Sequence, residues 1–123
     1  MSRQFYLAED NPDHAELIDD MLDDSHIDYK LSHYSNGLSL IDGLPTHPNH
    51  SDIILLDIKM PKLNGLDTLK RIRQIPAYQN TTILIITTSS IRSDINTAHF
   101  AGANGFISKP LTFDDLKPYL KEP

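Results

Sequence analysis

The chain has 123 residues, which is the size of one ordinary domain and is enough to bury a core without covalent cross-links. It has no cysteine, which excludes disulfides and thiolate metal sites, and its net charge of −6 disfavours a nucleic-acid partner. No apolar run approaches the roughly 20 residues of a membrane helix, and the start of the chain lacks a signal-peptide pattern. We therefore expect one domain over residues 1–123, cytoplasmic and not inserted in a membrane.

The first half of the chain alternates short apolar runs with amphipathic stretches. Ala15, Ile18 and Leu22 recur at helical spacing with acidic residues on the opposite face. Asn11 and Pro12 before them form a typical helix start, a capping residue followed by proline. In order, the pattern predicts a strand at residues 5–8, a helix at 12–25, a strand at 28–34, a short helix at 35–44 and a strand at 52–56.

The second half continues the same alternation. A further helix is indicated by Ile91, Ile95 and Ala98 and is closed by Gly102. Pro118 lies inside the last predicted helix, where we expect a kink or early fraying. In order, the pattern predicts a helix at residues 65–75, a strand at 82–87, the helix that ends at Gly102, a strand at 105–108 and a helix at 112–123.

Five strands that alternate with five helices predict an α/β fold with a parallel sheet covered on both faces, because parallel strands need crossover connections. Most of the predicted strands are apolar throughout, which is typical of strands buried on both faces. Only the second strand mixes polar and apolar residues, which indicates an edge of the sheet.

Polar side chains follow four of the five predicted strands. The carboxyl ends of parallel strands share one edge of a sheet, and ligands bind there. We therefore expect one site built from Glu9 and Asp10 after the first strand, Asp57 after the third, Thr87 and Thr88 after the fourth, and Lys109 and Pro110 after the fifth.

These residue types indicate phosphoryl chemistry assisted by a metal. Three crowded carboxylates resist full ionisation unless a cation joins them, and oxygen ligands with open positions suit Mg²⁺. The lack of His and Cys among the candidate ligands argues against zinc. A carboxylate can attack phosphorus, and the developing charge would need the metal, an ammonium such as Lys109 and a donor such as Thr87.

Four segments together resemble the receiver domain of two-component response regulators, the CheY-like type: "LAED" with Glu9 and Asp10, "LLDIKMPKLNG" with Asp57, "ILIITTSS", and "GANGFISKP" with Lys109. The resemblance covers essentially the whole chain. It implies a doubly wound five-stranded sheet of order 2-1-3-4-5, flavodoxin- or CheY-like, with helices on both faces.

The resemblance also implies a role for each site residue. Asp57 would accept the phosphoryl group, and Thr87 and Lys109 would hold it. Asp10, Asp57 and the backbone carbonyl of Lys59 would bind Mg²⁺, with Glu9 in the outer shell. A one-residue shift to Thr88 in place of Thr87 remains open.

Other positions would govern switching and lifetime. Phe106 occupies the aromatic switch position without a hydroxyl, so any switching there must work by burial of the ring. The peptide bond before Pro110 would be cis. Lys59 and Ser89 would tune dephosphorylation, and Lys59 predicts a slower reaction than asparagine would give.

The resemblance implies a regulator, not an enzyme, that a histidine kinase or histidine phosphotransfer protein phosphorylates. It would bind a downstream protein through the face of the fourth helix, fifth strand and fifth helix. Alternatives are a receiver excised from a longer regulator, an adaptor that is never phosphorylated, and, more distantly, a Mg²⁺-dependent hydrolase. We expect His47 and His50 to be solvated. We also expect the acidic residues of the first helix to be solvated, although a basic partner could dock on them; they are Asp19, Asp20, Asp23 and Asp24.

Overall fold

Strands and helices alternate along the chain in the computed structural model, which describes residues 2–88 and 92–120. The strands are β1 (Arg3–Ala8), β2 (Tyr29–Tyr34), β3 (Ile53–Asp57), β4 (Thr82–Thr87) and β5 (Gly105–Ser108). The α-helices are α1 (Pro12–Asp24), α2 (Gly37–Gly43), α3 (Gly65–Arg73), α4 (Arg92–Phe100) and α5 (Phe113–Leu116), and short 3-10 helices cover Pro76–Tyr78 and Lys117–Tyr119.

The five strands form one parallel sheet in the order β2-β1-β3-β4-β5. The predicted fold class and strand order are therefore confirmed, and β2 is an edge strand as its mixed composition indicated. The register places Ala8 beside Leu56 and Thr87 beside Ser108, so the strands end at nearly the same level. This alignment brings the last residues of β3 and β4 and the residues that follow β1 and β5 to one edge of the sheet.

Two apolar layers cover the sheet, one on each face. Leu55 of β3 and Leu84 of β4 pack with α1 and α5, whereas Leu56 and Ile85 pack with α2, α3 and α4. Successive side chains of a strand point to opposite faces, so strands covered on both sides must be apolar at every position. This requirement explains the uninterrupted apolar runs in the sequence.

Asparagine caps set where three of the helices begin. The side chain of Asn11 accepts hydrogen bonds from the backbone N–H groups of Asp13 and His14, so α1 begins immediately after the first acidic pair. Asn36 and Asn64 cap α2 and α3 in the same way. The predicted cap at Asn11 and the buried face of α1 are both confirmed.

Two predicted helices differ from the structure. In α4, Ala98 is buried but Ile95 is 39% exposed, so the expected apolar face is weaker than predicted; Ile91 lies outside the described residues. The last α-helix ends at Leu116 and gives way to a 3-10 turn around Pro118, because proline cannot donate the helical hydrogen bond. Within the described ranges, no helix is long and apolar enough to cross a membrane.

Candidate functional site

Three carboxylates meet where β1 and β3 end. These strands are neighbours, and the pairing of Ala8 with Leu56 places Glu9 beside Asp57. One ligand oxygen from each of Glu9, Asp10 and Asp57 lies within 4.8 Å of the others. Glu9 is fully buried and Asp57 is 7% exposed, whereas Asp10 is exposed to solvent. The site, here called the cleft, therefore consists of two buried acids and one acid that is exposed to solvent.

Lys109 supplies the positive charge of this cleft. Its backbone N–H donates to the carbonyl of Thr87 at 2.8 Å, which fixes its position just beyond β5. Its side chain reaches across the ends of β4 and β3, so that Nζ donates to Asp57 Oδ2 at 3.1 Å and to Glu9 Oε1. The peptide bond between Lys109 and Pro110 is cis. One ammonium is thus shared by two buried carboxylates.

Burial raises the pKa of the Glu9 carboxyl above its ordinary value. Hydrogen bonds from Lys109 and from the backbone N–H of Asn11, 3.2 Å from Oε2, lower the pKa of Glu9, and the Asp57 carboxylate raises it again. The net direction is upward, which means that one ammonium does not fully offset two carboxylates held away from water. A further cation would stabilise this arrangement.

The three acids could hold a metal ion. Their donors are carboxylate oxygens alone, which suits a hard divalent cation and not zinc. Asp10 faces solvent, so a bound ion could keep water ligands on that side.

The two threonines at the end of β4 lie in different surroundings. Thr87 is the last residue of the strand and is 1% exposed. Thr88 is exposed and lines a groove with Lys109 and Pro110.

The other residues considered in the sequence analysis differ in how far they are exposed to solvent. Lys59 is exposed in the loop after β3, and Phe106 is half-buried against the core layer of α2, α3 and α4. Ser89 lies outside the described residues. His47 and His50 are both exposed in the loop before β3.

Sequence reasoning did not identify His14 as part of the site. Its Nδ1 lies 2.9 Å from Lys109 Nζ, and its ring is 3.8 Å from Glu9 Oε1. The available signal was its place in the first turn of α1, directly after the acidic pair. That signal is weak without the path of the Lys109 side chain.

A five-stranded sheet with this acidic cleft and lysine defines the CheY-like receiver class. Residues 5–121 match the family described as "Response regulator receiver domain". The chain therefore belongs to that family, whose members are regulatory modules of two-component signalling. Their interaction partners are histidine kinases, phosphotransfer proteins and downstream targets.

Known proteins similar to this chain include other response regulators. It is 26% identical to the polar-differentiation response regulator DivK of Brucella ovis, with 98% of each chain covered. It is 28% identical to the probable methanogenesis regulatory protein FilR2 of Methanothrix harundinacea, covering 94% of this chain and 77% of that protein.

Solved structures agree with the fold. The Mn²⁺-bound form of response regulator Rcp1 has a TM-score of 0.76 at 26% identity, covering 95% of this chain and 88% of that one. The bacteriophytochrome response regulator RtBRR has a TM-score of 0.83 at 25% identity, covering 100% and 80%.

Proposed function

We propose that this receiver domain accepts a phosphoryl group on Asp57 from the phosphohistidine of a histidine kinase or phosphotransfer protein. The observation that carries the proposal is the setting of Asp57. Its carboxylate lies at the end of β3 with the Lys109 ammonium 3.1 Å from Oδ2 and two further acids beside it. An isolated surface aspartate would have neither the buried cation nor the acidic neighbours.

In the proposed transfer, a carboxylate oxygen of Asp57 forms a bond to phosphorus while the phosphorus–nitrogen bond of the donor imidazole breaks. The bonding electron pair stays on that nitrogen, which takes a proton from water, and Asp57 becomes an acyl phosphate. Lys109 holds its ammonium against the attacking carboxylate and pairs with the added negative charge. Thr87 or, by a shift of one residue, Thr88 donates a hydroxyl hydrogen bond to the phosphoryl group.

We propose Mg²⁺ as the cofactor, held by Asp10, Asp57 and the backbone carbonyl of Lys59, with Glu9 in the outer shell. When bound, Mg²⁺ would neutralise charge that develops on the phosphoryl oxygens. The chain's own contribution is the oxygen donor set and the buried lysine. Glu9 supports the choice, because its raised pKa indicates a carboxylate that gains from a nearby cation.

Phosphorylation would be read by a partner protein at the surface formed by α4, β5 and α5. Phe106 lies in β5 and is half-buried, so its ring has room to become more or less exposed. It has no hydroxyl, and the switch would therefore shift a population between two packing states of the ring. The absence of cysteine suits a reducing compartment, and we propose the cytoplasm.

Lys59 and Ser89 would set how long the phosphoryl group lasts. Lys59 follows Asp57 by two residues and is exposed, so its long cationic side chain can approach the phosphoryl group and shield it from water. Ser89 holds the corresponding place after Thr87. The same chemistry applies whether residues 1–123 work alone or as the receiver of a longer regulator.

The stoichiometry of phosphorylation tests this function against its alternatives. Wild-type protein is mixed with acetyl phosphate and Mg²⁺, and bound phosphoryl is counted by intact-mass spectrometry while released phosphate is followed separately. A receiver gains one phosphoryl group per chain, and EDTA prevents the gain. A Mg²⁺-dependent hydrolase would release many equivalents of phosphate without an adduct, and a non-phosphorylated adaptor would give neither result.

A further inference from the structure

Lys109 has a third hydrogen-bond partner that the proposed function does not use. Its ammonium carries three protons. Two are directed at Glu9 Oε1 and Asp57 Oδ2, and His14 Nδ1 lies 2.9 Å from Nζ. The Lys109 side chain is 10% exposed, so little of it contacts water. The three acceptors together account for every donor of this ammonium.

The contact with Lys109 determines the tautomer of the His14 ring. An ammonium has no lone pair, so the nitrogen that faces it must accept. Nδ1 is therefore unprotonated, and the ring proton lies on Nε2. His14 thus differs in kind from the other two acceptors: it binds the lysine without adding negative charge to the cleft.

His14 is held in place by its helix. Its backbone N–H points to the capping oxygen of Asn11 at 3.4 Å, in the first turn of α1. Its side chain is 36% exposed and lines the mouth of a groove of about 260 Å³ together with Leu17, Pro110 and Leu111. The ring therefore contacts the lysine, is partly exposed to solvent and lines a groove whose other walls are largely apolar.

We propose that His14 is a positioning residue that holds the Lys109 ammonium over Asp57 and so sets the rate of phosphoryl transfer. With only two carboxylates, the ammonium could turn toward Glu9, which is the more deeply buried of the two. The third acceptor restricts that rotation and leaves one N–H directed at Asp57. This inference rests on the proposed function of Asp57, since the rate it concerns is that of its phosphorylation.

Three substitutions of His14 distinguish the effect of its hydrogen-bond acceptor from the effect of its bulk. Asn places its amide oxygen where Nδ1 lies, because both atoms are one bond beyond Cγ. Gln places its oxygen one bond further out, in the position of Nε2. Leu keeps similar bulk, suits the apolar groove and has no acceptor. Asn and Leu at His47, exposed in a polar loop, are matched controls.

The variants are phosphorylated with acetyl phosphate and Mg²⁺, and the maximal rate constant and the half-saturating donor concentration are measured separately. A hydrogen bond to a charged group corresponds to about a tenfold change in rate. We expect H14L and H14Q to lower the maximal rate about tenfold with unchanged half-saturation. The maximal rate of H14N should stay within about threefold of the wild-type rate. The His47 variants should have the wild-type rate.

Two measurements on the metal-free protein complete the test. Nitrogen-15 NMR of His14 with a neutral ring should show the proton on Nε2. Urea unfolding should show that H14L is fully folded under the assay conditions, which separates a lost rate from a lost fold. If H14L does not fold, the comparison of H14N with H14Q still distinguishes the position of the acceptor.

Several results would overturn the inference. A wild-type rate in H14L or H14Q, a rate in H14N as low as in H14L, or a proton on Nδ1 would each do so while leaving phosphorylation of Asp57 intact. Failure of the wild type itself to gain a phosphoryl group would overturn the proposed function, and this inference with it.

Discussion

Replacing Lys109 with methionine tests the charge balance of the cleft. The substitution keeps an unbranched apolar stem and removes the ammonium that Glu9 and Asp57 share. Glu9 is fully buried and retains the backbone N–H of Asn11. Removing one partner of a buried ion pair typically costs about 3–5 kcal/mol. We expect a large loss of stability in the metal-free protein at pH 7.

The loss in the free energy of unfolding has an upper limit, because Glu9 can become neutral by binding a proton. Starting from the ordinary Glu pKa of 4.5, protonation costs about 3 kcal/mol at pH 7 and about 1 kcal/mol at pH 5. The folded variant then holds a proton that the unfolded chain releases, so its stability falls as pH rises above 4.5. The loss relative to wild type should therefore be at most about 3 kcal/mol at pH 7 and at most about 1 kcal/mol at pH 5, because the raised pKa of Glu9 already removes part of this stability from the wild type.

The assay is urea unfolding in EDTA at both pH values. Lys109→Met combined with Glu9→Gln should recover most of the loss at pH 7, because the more deeply buried of the two carboxylates is gone. Lys117→Met is the matched control: Lys117 forms an exposed pair with Asp114 at 3.1 Å, and such pairs contribute little. A loss below about 1 kcal/mol at pH 7, or an equal loss at both pH values, would refute this account of the charges.

Three further predictions concern the loop after β3 and the start of α3. Lys62 has a φ of 66°, a left-handed backbone conformation that is strained for any residue except glycine, so Lys62→Gly should stabilise the protein by about 1 kcal/mol in urea unfolding. The control Lys70→Gly, within α3, should destabilise it by a similar amount. A loss of stability in Lys62→Gly would contradict the backbone strain at Lys62. A Cβ on Gly65 would lie 2.1 Å from the backbone oxygen of Asp57, so Gly65→Ala should lower the free energy of unfolding by at least about 2 kcal/mol and slow phosphorylation. Wild-type stability and rate in Gly65→Ala would contradict this close approach. Lys59→Asn should shorten the phosphoryl lifetime measured by decay of the intact-mass adduct, with Lys70→Asn unchanged; equal decay rates for Lys59→Asn and wild type would show that Lys59 offers no shielding.

The strands and their order could be predicted because burial on both faces leaves little freedom in composition. The run from Ile53 to Leu56 is apolar at every position and ends at Asp57, so both the strand and the site at its end follow from one pattern. The helix before Gly102 was less well defined, because Ile95 is partly exposed and Ala98 alone of its predicted core face is buried among the described residues.

The predicted site acids meet as expected, but two properties of the cleft could not be predicted from the sequence. The complete burial of Glu9 depends on the packing around the end of β1, which sequence spacing does not report. The contact of His14 with Lys109 joins residues 95 positions apart and depends on a side chain that crosses two strands. Sequence patterns locate backbone positions well, whereas the path of a long side chain is set by its tertiary neighbours.

Intact-mass spectrometry of Asp57→Asn beside wild type, after treatment with acetyl phosphate and Mg²⁺, tests the central claim most directly. Asp42→Asn, at an exposed position near the end of α2, is the matched control. We predict one phosphoryl group on wild type and on Asp42→Asn, and none on Asp57→Asn. An equal adduct on Asp57→Asn, or no adduct on wild type at the shortest times, would contradict the assignment of Asp57 as the acceptor.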